Sequence, residues 1–276
     1  MNGSALWLHG LSIIAPGLPD WAHAAPVLRG EQAWAHAPSV LPPAEALPAA
    51  ERRRASRAVR VALALGLHAL QGHDPGEVAT VFTSSGADGH NCHALCEQLA
   101  GEDRAISPTR FHNSVHNAAA GYWGIATRSM APSQVLCAHD GSLGAGWIDA
   151  LGQLACDGGE LLLVAYDSEY PEPLHTCRPV PDAAGVAFWL GTTPREQSLG
   201  TLRTTLVTDD PEAMAQAPLD ALRTEFPALR CLPLLGRIAR RDDRPVVIDY
   251  LAPQRLRVQF TPADHEHQQP RPAHAA

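Results

Sequence analysis

Apolar positions along the chain come in short runs separated by prolines, glycines and polar turns, and their periods alternate between two and about 3.6 residues. Leu6 to Ala15 is an apolar run closed by Pro16-Gly17, which predicts a strand with a bend at Gly10. Residues 36 to 50 hold Pro38, Pro42, Pro43 and Pro48, too many for regular structure. From Ala49 to Leu70 the apolar positions Val59, Val61, Leu63, Leu65 and Leu67 spread widely around a helical axis, predicting a largely buried helix. Asp74-Pro75-Gly76 is a turn, and Glu77 to Ser84 a strand feeding a loop from Gly86 to Gly89. The pattern then predicts helices over 90–101, 117–127 and 143–155, and strands over 134–138, 161–166 and 185–190. After Pro194 it weakens to a strand over 201–207, a helix over 211–224 and a hairpin of 246–250 with 256–260 around Ala252-Pro253-Gln254. Such alternation predicts an α/β fold with a mixed sheet covered by helices.

The chain has 276 residues, 45% of them apolar, enough for a sizeable core. Its net charge is −8, and its densest basic run is Arg52-Arg53-Arg54, which reads as a solvated helix start; nucleic acid is therefore not expected as a partner. The six cysteines have no framework spacing, which fits reduced thiols in the cytoplasm. No apolar run approaches the roughly 18 to 20 residues of a bilayer span. Ala22-His-Ala24 imitates a leader cleavage site, but no basic segment precedes it and His9 and Pro16 interrupt the apolar stretch, so secretion is not expected.

The most informative segment is Pro132-Ser-Gln-Val-Leu-Cys-Ala-His-Asp140-Gly141, followed by a helix from Ser142. A strand that turns sharply into a helix is where α/β enzymes present a nucleophile, and Asp140 occupies that apex. A carboxylate there caps the following helix, accepting backbone N–H bonds in the favourable field of the helix dipole. Other nucleophile candidates are weak. Cys137 lies three positions earlier, Ser142 follows the turn, and Ser84-Ser85-Gly86 lacks the glycine flanking of a nucleophile elbow. His139 and Asp140, as strand neighbours, should point to opposite faces. His90, His93 and Cys96 recur at three-residue intervals, and His112 and His116 would form an i, i+4 pair on a helix. Among 14 histidines such spacings arise by chance, and no metal or cofactor is expected.

Several segments together resemble the N-terminal half of the β-ketoacyl synthases, the condensing enzymes of fatty acid and polyketide synthesis. Leu8 to Gly17 is similar to the family's opening strand and Pro-Gly turn, and Gly76 to Gly86 to its next strand and glycine loop. Ile106-Ser-Pro108 and Asn117-Ala-Ala-Ala-Gly121 are similar to the stretch before the nucleophile strand. The agreement runs in order from about residue 6 to residue 190. It implies a thiolase-like layered fold with an abbreviated C-terminal half, divided as 1–195, 196–262 and a disordered tail 263–276.

The resemblance places Asp140 where the family has its condensing cysteine. Acyl transfer to a carboxylate would give a reactive anhydride, so condensation is not expected there. Between Pro194 and Phe260 there is no histidine, and the family's two catalytic histidine signatures are missing. The chain therefore resembles the chain-length-factor subunits of the family, of the truncated type found in aryl polyene and xanthomonadin-like pathways. That implies a catalytic β-ketoacyl-ACP synthase as partner, with acyl carrier protein contacted indirectly through it, since this acidic chain disfavours an acidic carrier. It also implies an interface strand of Ser133, Gln134, Val135, Leu136, Cys137 and Ala138, pairing across a pseudo-twofold axis. The segment 109–116 would reach over the partner's acyl tunnel, with Phe111, His112 and Val115 as the gate. Overpacking a wall costs about 1 to 3 kcal/mol, roughly a ten- to hundredfold bias against one more extension. The alternative is an independent acyltransferase or thioesterase with a non-standard nucleophile.

Overall fold

The computed structural model describes residues 5–263. The elements in order are β1 (Leu6–Ile14), α1 (Trp21–Arg29), α2 (Ala49–Arg54), α3 (Arg57–Leu70), β2 (Ala79–Thr83), α4 (Gly89–Ala100), α5 (Pro108–His112), α6 (Ala118–Thr127) and β3 (Ser133–Leu136). There follow α7 (Ser142–Asp157), β4 (Glu160–Asp167), α8 (Leu174–Cys177), β5 (Ala184–Gly191), β6 (Gly200–Val207), α9 (Ala217–Glu225), α10 (Leu232–Arg240), β7 (Val246–Ile248) and β8 (Arg255–Pro262).

One mixed sheet organises them, in the order β3-β2-β4-β5-β1-β6-β8-β7. β2 is parallel to both β3 and β4, and every other pairing is antiparallel. The central strands bury both faces, and their alternate residues feed two cores. Leu161, Leu163, Val186 and Phe188 join the core under α7 and α10, whereas Leu162, Val164, Ala187 and Trp189 join the core under α3 and α6. This is the three-layer α/β arrangement that the alternating pattern predicts. β6 to β8, from beyond residue 195, extend the same sheet.

Several local features depart from the sequence expectation. The helix expected over 49–70 is two helices, because Ala55 is extended and Ser56 caps the second by accepting from the Val59 N–H at 3.3 Å. α1 was not foreseen, since Pro26 lies within it; Asp20 caps it by accepting from the His23 N–H at 2.8 Å, and left-handed Gly30 ends it. The helix expected over 211–224 begins only at Ala217, and α10 was missed. The bend at Gly10 is a β-bulge against β5, where the register shifts between Leu8 and Gly10. The tail expected from 263 lies outside the described residues but for Ala263.

Candidate functional site

Three parallel strands, β2, β3 and β4, end on the same side of the sheet, where α/β proteins place their sites. β3 stops at Leu136, two residues short of the expected end, and Cys137 and Ala138 lead into a tight 3-10 turn, His139–Gly141. His139 carries φ 51, a left-handed conformation that non-glycine residues adopt at a cost. Ser142 fixes this turn from below. Its hydroxyl is buried, accepts from the Ala138 N–H at 3.0 Å and lies 2.7 Å from the His139 carbonyl. α7 then packs tightly on β2, because a Cβ at Gly146 would stand 2.9 Å from Thr83 Cγ2.

Asp140 does not cap α7, contrary to the sequence expectation: Gly141 holds the cap position and no side chain bonds the first turn. The carboxylate instead turns sideways to two arginines that sequence reasoning missed. Arg178 Nη2 donates to Asp140 Oδ1 at 2.8 Å, and Arg230 Nη2 lies 3.6 Å from Oδ2. Partial burial opposes ionisation of Asp140, but the Arg178 hydrogen bond and charge, with His139 and Arg230 behind them, outweigh it and hold the carboxyl below its ordinary range. His139 and Asp140 also meet, at 3.5 Å, because the 3-10 turn replaces the strand geometry expected to separate them. Arg178 Nη1 also lies 2.6 Å from His139 Nε2. Beyond Arg230 the charges continue to alternate through Asp249, Arg223 and Asp220. Arg178 and Arg230 lie 38 and 90 positions from Asp140, so no spacing could have paired them with it.

Asp167, at the end of β4, is buried and accepts from the Ser85 N–H at 2.9 Å, the Ser85 hydroxyl at 2.5 Å and the Ala228 N–H at 2.9 Å. Burial raises its pKa despite these donors. It ties the loop after β2 to the segment before α10. Ser85 is engaged by Asp167, Ser142 by backbone, and Cys137 Sγ lies 3.4 Å from the Ser85 carbonyl. Among the described residues no three His, Cys, Asp or Glu side chains are placed to hold a metal ion, and no helix is long and apolar enough to cross a membrane. His93 faces Glu97 at 3.3 Å and His90 faces Glu169 at 3.9 Å, while α5 ends at His112 and gives no helical pair with His116.

The gate candidates lie on α5 and the segment that leads from it into α6, a helix packed on β2 and β3. Phe111 is 65% exposed, Val115 50% exposed, and His112 is also exposed. With Tyr122 and Ile125 they line a groove of about 470 Å³. Two buried asparagines hold the segment in place: Asn91 Nδ2 donates to the Arg110 carbonyl at 2.8 Å, and Asn113 bonds the Arg54 carbonyl and the Tyr122 hydroxyl. The backbone is thus anchored inward while Phe111 and Val115 face out.

Among the described residues β3 pairs with one strand, β2. Thr80 N–H bonds the Pro132 carbonyl at 2.9 Å and Ser84 N–H bonds the Leu136 carbonyl at 3.3 Å, so the even-numbered residues face β2. By the alternation of a strand, Ser133 and Val135 turn their own N–H and C=O groups outward along a free edge.

The family described as Beta-ketoacyl synthase, N-terminal domain, matches residues 27–230. Among solved structures, a chain of the ketosynthase ApeO in complex with its chain length factor ApeC from Xenorhabdus doucetiae has 23% identity and a TM-score of 0.71, over 93% of this chain and 99% of that one. The ishigamide ketosynthase/chain length factor has 13% identity and a TM-score of 0.67, over 95% and 100% of the two chains. A beta-ketoacyl synthase from Burkholderia phymatum STM815 has 10% identity and a TM-score of 0.66, over 96% and 100%. These likenesses establish the thiolase-like ketosynthase fold, and relatives with it include chains of this chain's compact length. No curated protein matches the chain.

Proposed function

Since the chain belongs to the β-ketoacyl synthase N-terminal-domain family, we propose that it is a subunit without condensing activity of its own, a chain-length-factor-like partner of a catalytic β-ketoacyl-ACP synthase. One observation carries this reading: the turn that presents the family's nucleophile holds Asp140, clamped by Arg178 and Arg230. A carboxylate held ionised by two guanidinium groups is a poor nucleophile, and its acyl product would be an anhydride rather than a stable thioester. The segment 196–262, without histidine up to Phe260, is then an abbreviated second half that has no use for the family's catalytic pair.

The subunit's work in this reading is geometric, in the cytoplasm, on fatty-acid-like, polyketide or aryl polyene chains carried by the partner and its acyl carrier protein. The free edge of β3 offers strand pairing, and the exposed groove beside it offers Phe111, His112 and Val115 as a wall for the partner's tunnel. Side chains left in water in the isolated chain become a limit on length once a partner encloses them.

Co-expression with the ketosynthase encoded nearest to this chain, followed by size-exclusion chromatography with mass detection, tests the reading. A one-to-one complex is expected, and Phe111→Ala within it should lengthen the product. A chain that behaves well in solution and ignores the ketosynthase would overturn the proposal; an intact complex with unchanged product length would move the gate away from Phe111.

A further inference from the structure

The stretch from Arg104 to His139 builds α5, α6 and β3, and its charge has one sign. The chain holds 29 Asp and Glu among 276 residues, roughly one in ten, yet none occurs in these thirty-six positions. Arg104, Arg110, Arg128, His112, His116 and His139 stand there instead. Elsewhere many arginines find carboxylates, Arg57, Arg178, Arg195, Arg223 and Arg237 each forming an ion pair, while others, such as Arg52, Arg60 and Arg241, bond backbone carbonyls. The exposed guanidinium groups of Arg104, Arg110 and Arg128 have no partner among the described residues. Glu51, close enough to be felt by the Tyr122 hydroxyl, is already answered by Arg54 at 3.3 Å. Asp140, at the far end of the stretch, is answered by Arg178.

The same stretch also carries open apolar side chains. Phe111 is 65% exposed, Ile125 43% and Met130 96%. Exposed apolar side chains and arginines without a carboxylate partner, on one acid-free stretch of chain, have the composition of a protein interface, in which arginine and aromatic residues are enriched. A twofold pairing of this face with a second copy would set the same patch against itself and bring like charges together. A partner with carboxylates at the matching positions would be attracted and steered instead.

We propose that the occupant of this face is a ketosynthase subunit whose facing surface is acidic, and that the unpaired Arg110 and Arg128 reject a second copy of this chain. The inference rests on the ketosynthase-partner reading above and names the chemistry of that partner's surface.

Competition tests it. Wild-type chain and an Arg110→Glu/Arg128→Glu chain, distinguished by mass, are co-expressed with limiting tagged ketosynthase, and the captured shares are read by intact-protein mass spectrometry. The reversed chain should be depleted at least about tenfold, the Arg110→Lys/Arg128→Lys chain should hold its share, and high salt should narrow the gap. Because charge reversal can impair folding, Arg110→Gln/Arg128→Gln is run in parallel and should be depleted less but in the same direction. In a second arm, tagged and untagged wild-type copies expressed without ketosynthase should not capture one another. Equal shares in the first arm, or capture of wild-type by wild-type through this face in the second, overturn the inference while leaving the complex in place. Capture of neither chain by the ketosynthase overturns the functional reading, and this inference with it.

Discussion

Asp140 and Asp167 lie at the same end of the sheet, and their surroundings push their carboxyl pKa values in opposite directions. Asp140 is half open to water and lowered by arginine; Asp167 is buried and raised by desolvation. The signs for stability follow from linkage. Asp140 stabilises the fold above the ordinary carboxylate pKa of about 4 and loses that contribution as pH falls through its folded value. Asp167 favours the fold below the ordinary value and loses that contribution as pH rises towards its own. Since the Asp140 side chain is 52% exposed, its pairs with arginine are worth only about 0.2–1 kcal/mol. Asp140→Ala should therefore cost that much at neutral pH in a denaturant melt, with the difference vanishing in acid. Condensation by the complex should stay within about tenfold of wild type, and a loss beyond about a hundredfold, roughly 2.7 kcal/mol, would give Asp140 a chemical role. The position of Asp140 was legible in the sequence because strand, turn and helix are local patterns. Its function as an anchor for Arg178 and Arg230 was not, because those contacts are made by tertiary folding.

At the scale of elements, strands were easier to read than helices. The strands around the turn are short apolar runs bounded by turn residues, and their bounds shifted by only one or two residues. α1 was lost because Pro26 masks an otherwise complete signature, with Asp20 before the first turn and Gly30 after the last. Gly10 was read as a bend from composition alone; its structural reason is the approach of α3, since a Cβ there would stand 2.1 Å from the Ala69 carbonyl oxygen. That oxygen is backbone and cannot step aside, so Gly10→Ala must push α3 off β1. A destabilisation of about 1–3 kcal/mol is expected, measurable as a lowered urea midpoint with unchanged slope. A midpoint equal to wild type would show that the bulge absorbs the methyl group.

At the scale of the molecule, the sheet is closed asymmetrically. Its β7 end is covered by α10 and the hairpin with β8, whereas its β3 end is a four-residue strand whose outer hydrogen-bonding groups face solvent. Natural sheets blunt such edges by keeping the edge strand short or with prolines, charges or bulges. Here the strand is short and Pro132 precedes it, but Ser133 and Val135 carry neither charge nor proline, and α6, which lines the apolar groove, packs on the strand. Outward hydrogen-bonding groups near an apolar groove are explained if another chain completes the sheet. Val135→Pro separates the edge from the fold. It removes an outward N–H without touching the bonds from Thr80 and Ser84 that join β3 to β2, and proline is tolerated on an edge strand. The isolated variant should melt only slightly below wild type, since proline keeps an apolar side chain where Val135 packs against the core under α3 and α6, while co-purification with the ketosynthase falls by about two- to tenfold, the cost of one lost interface hydrogen bond of about 0.5–1.5 kcal/mol. Retention of the complex at wild-type yield would mean that side chains of the groove, and not strand pairing, hold the partner.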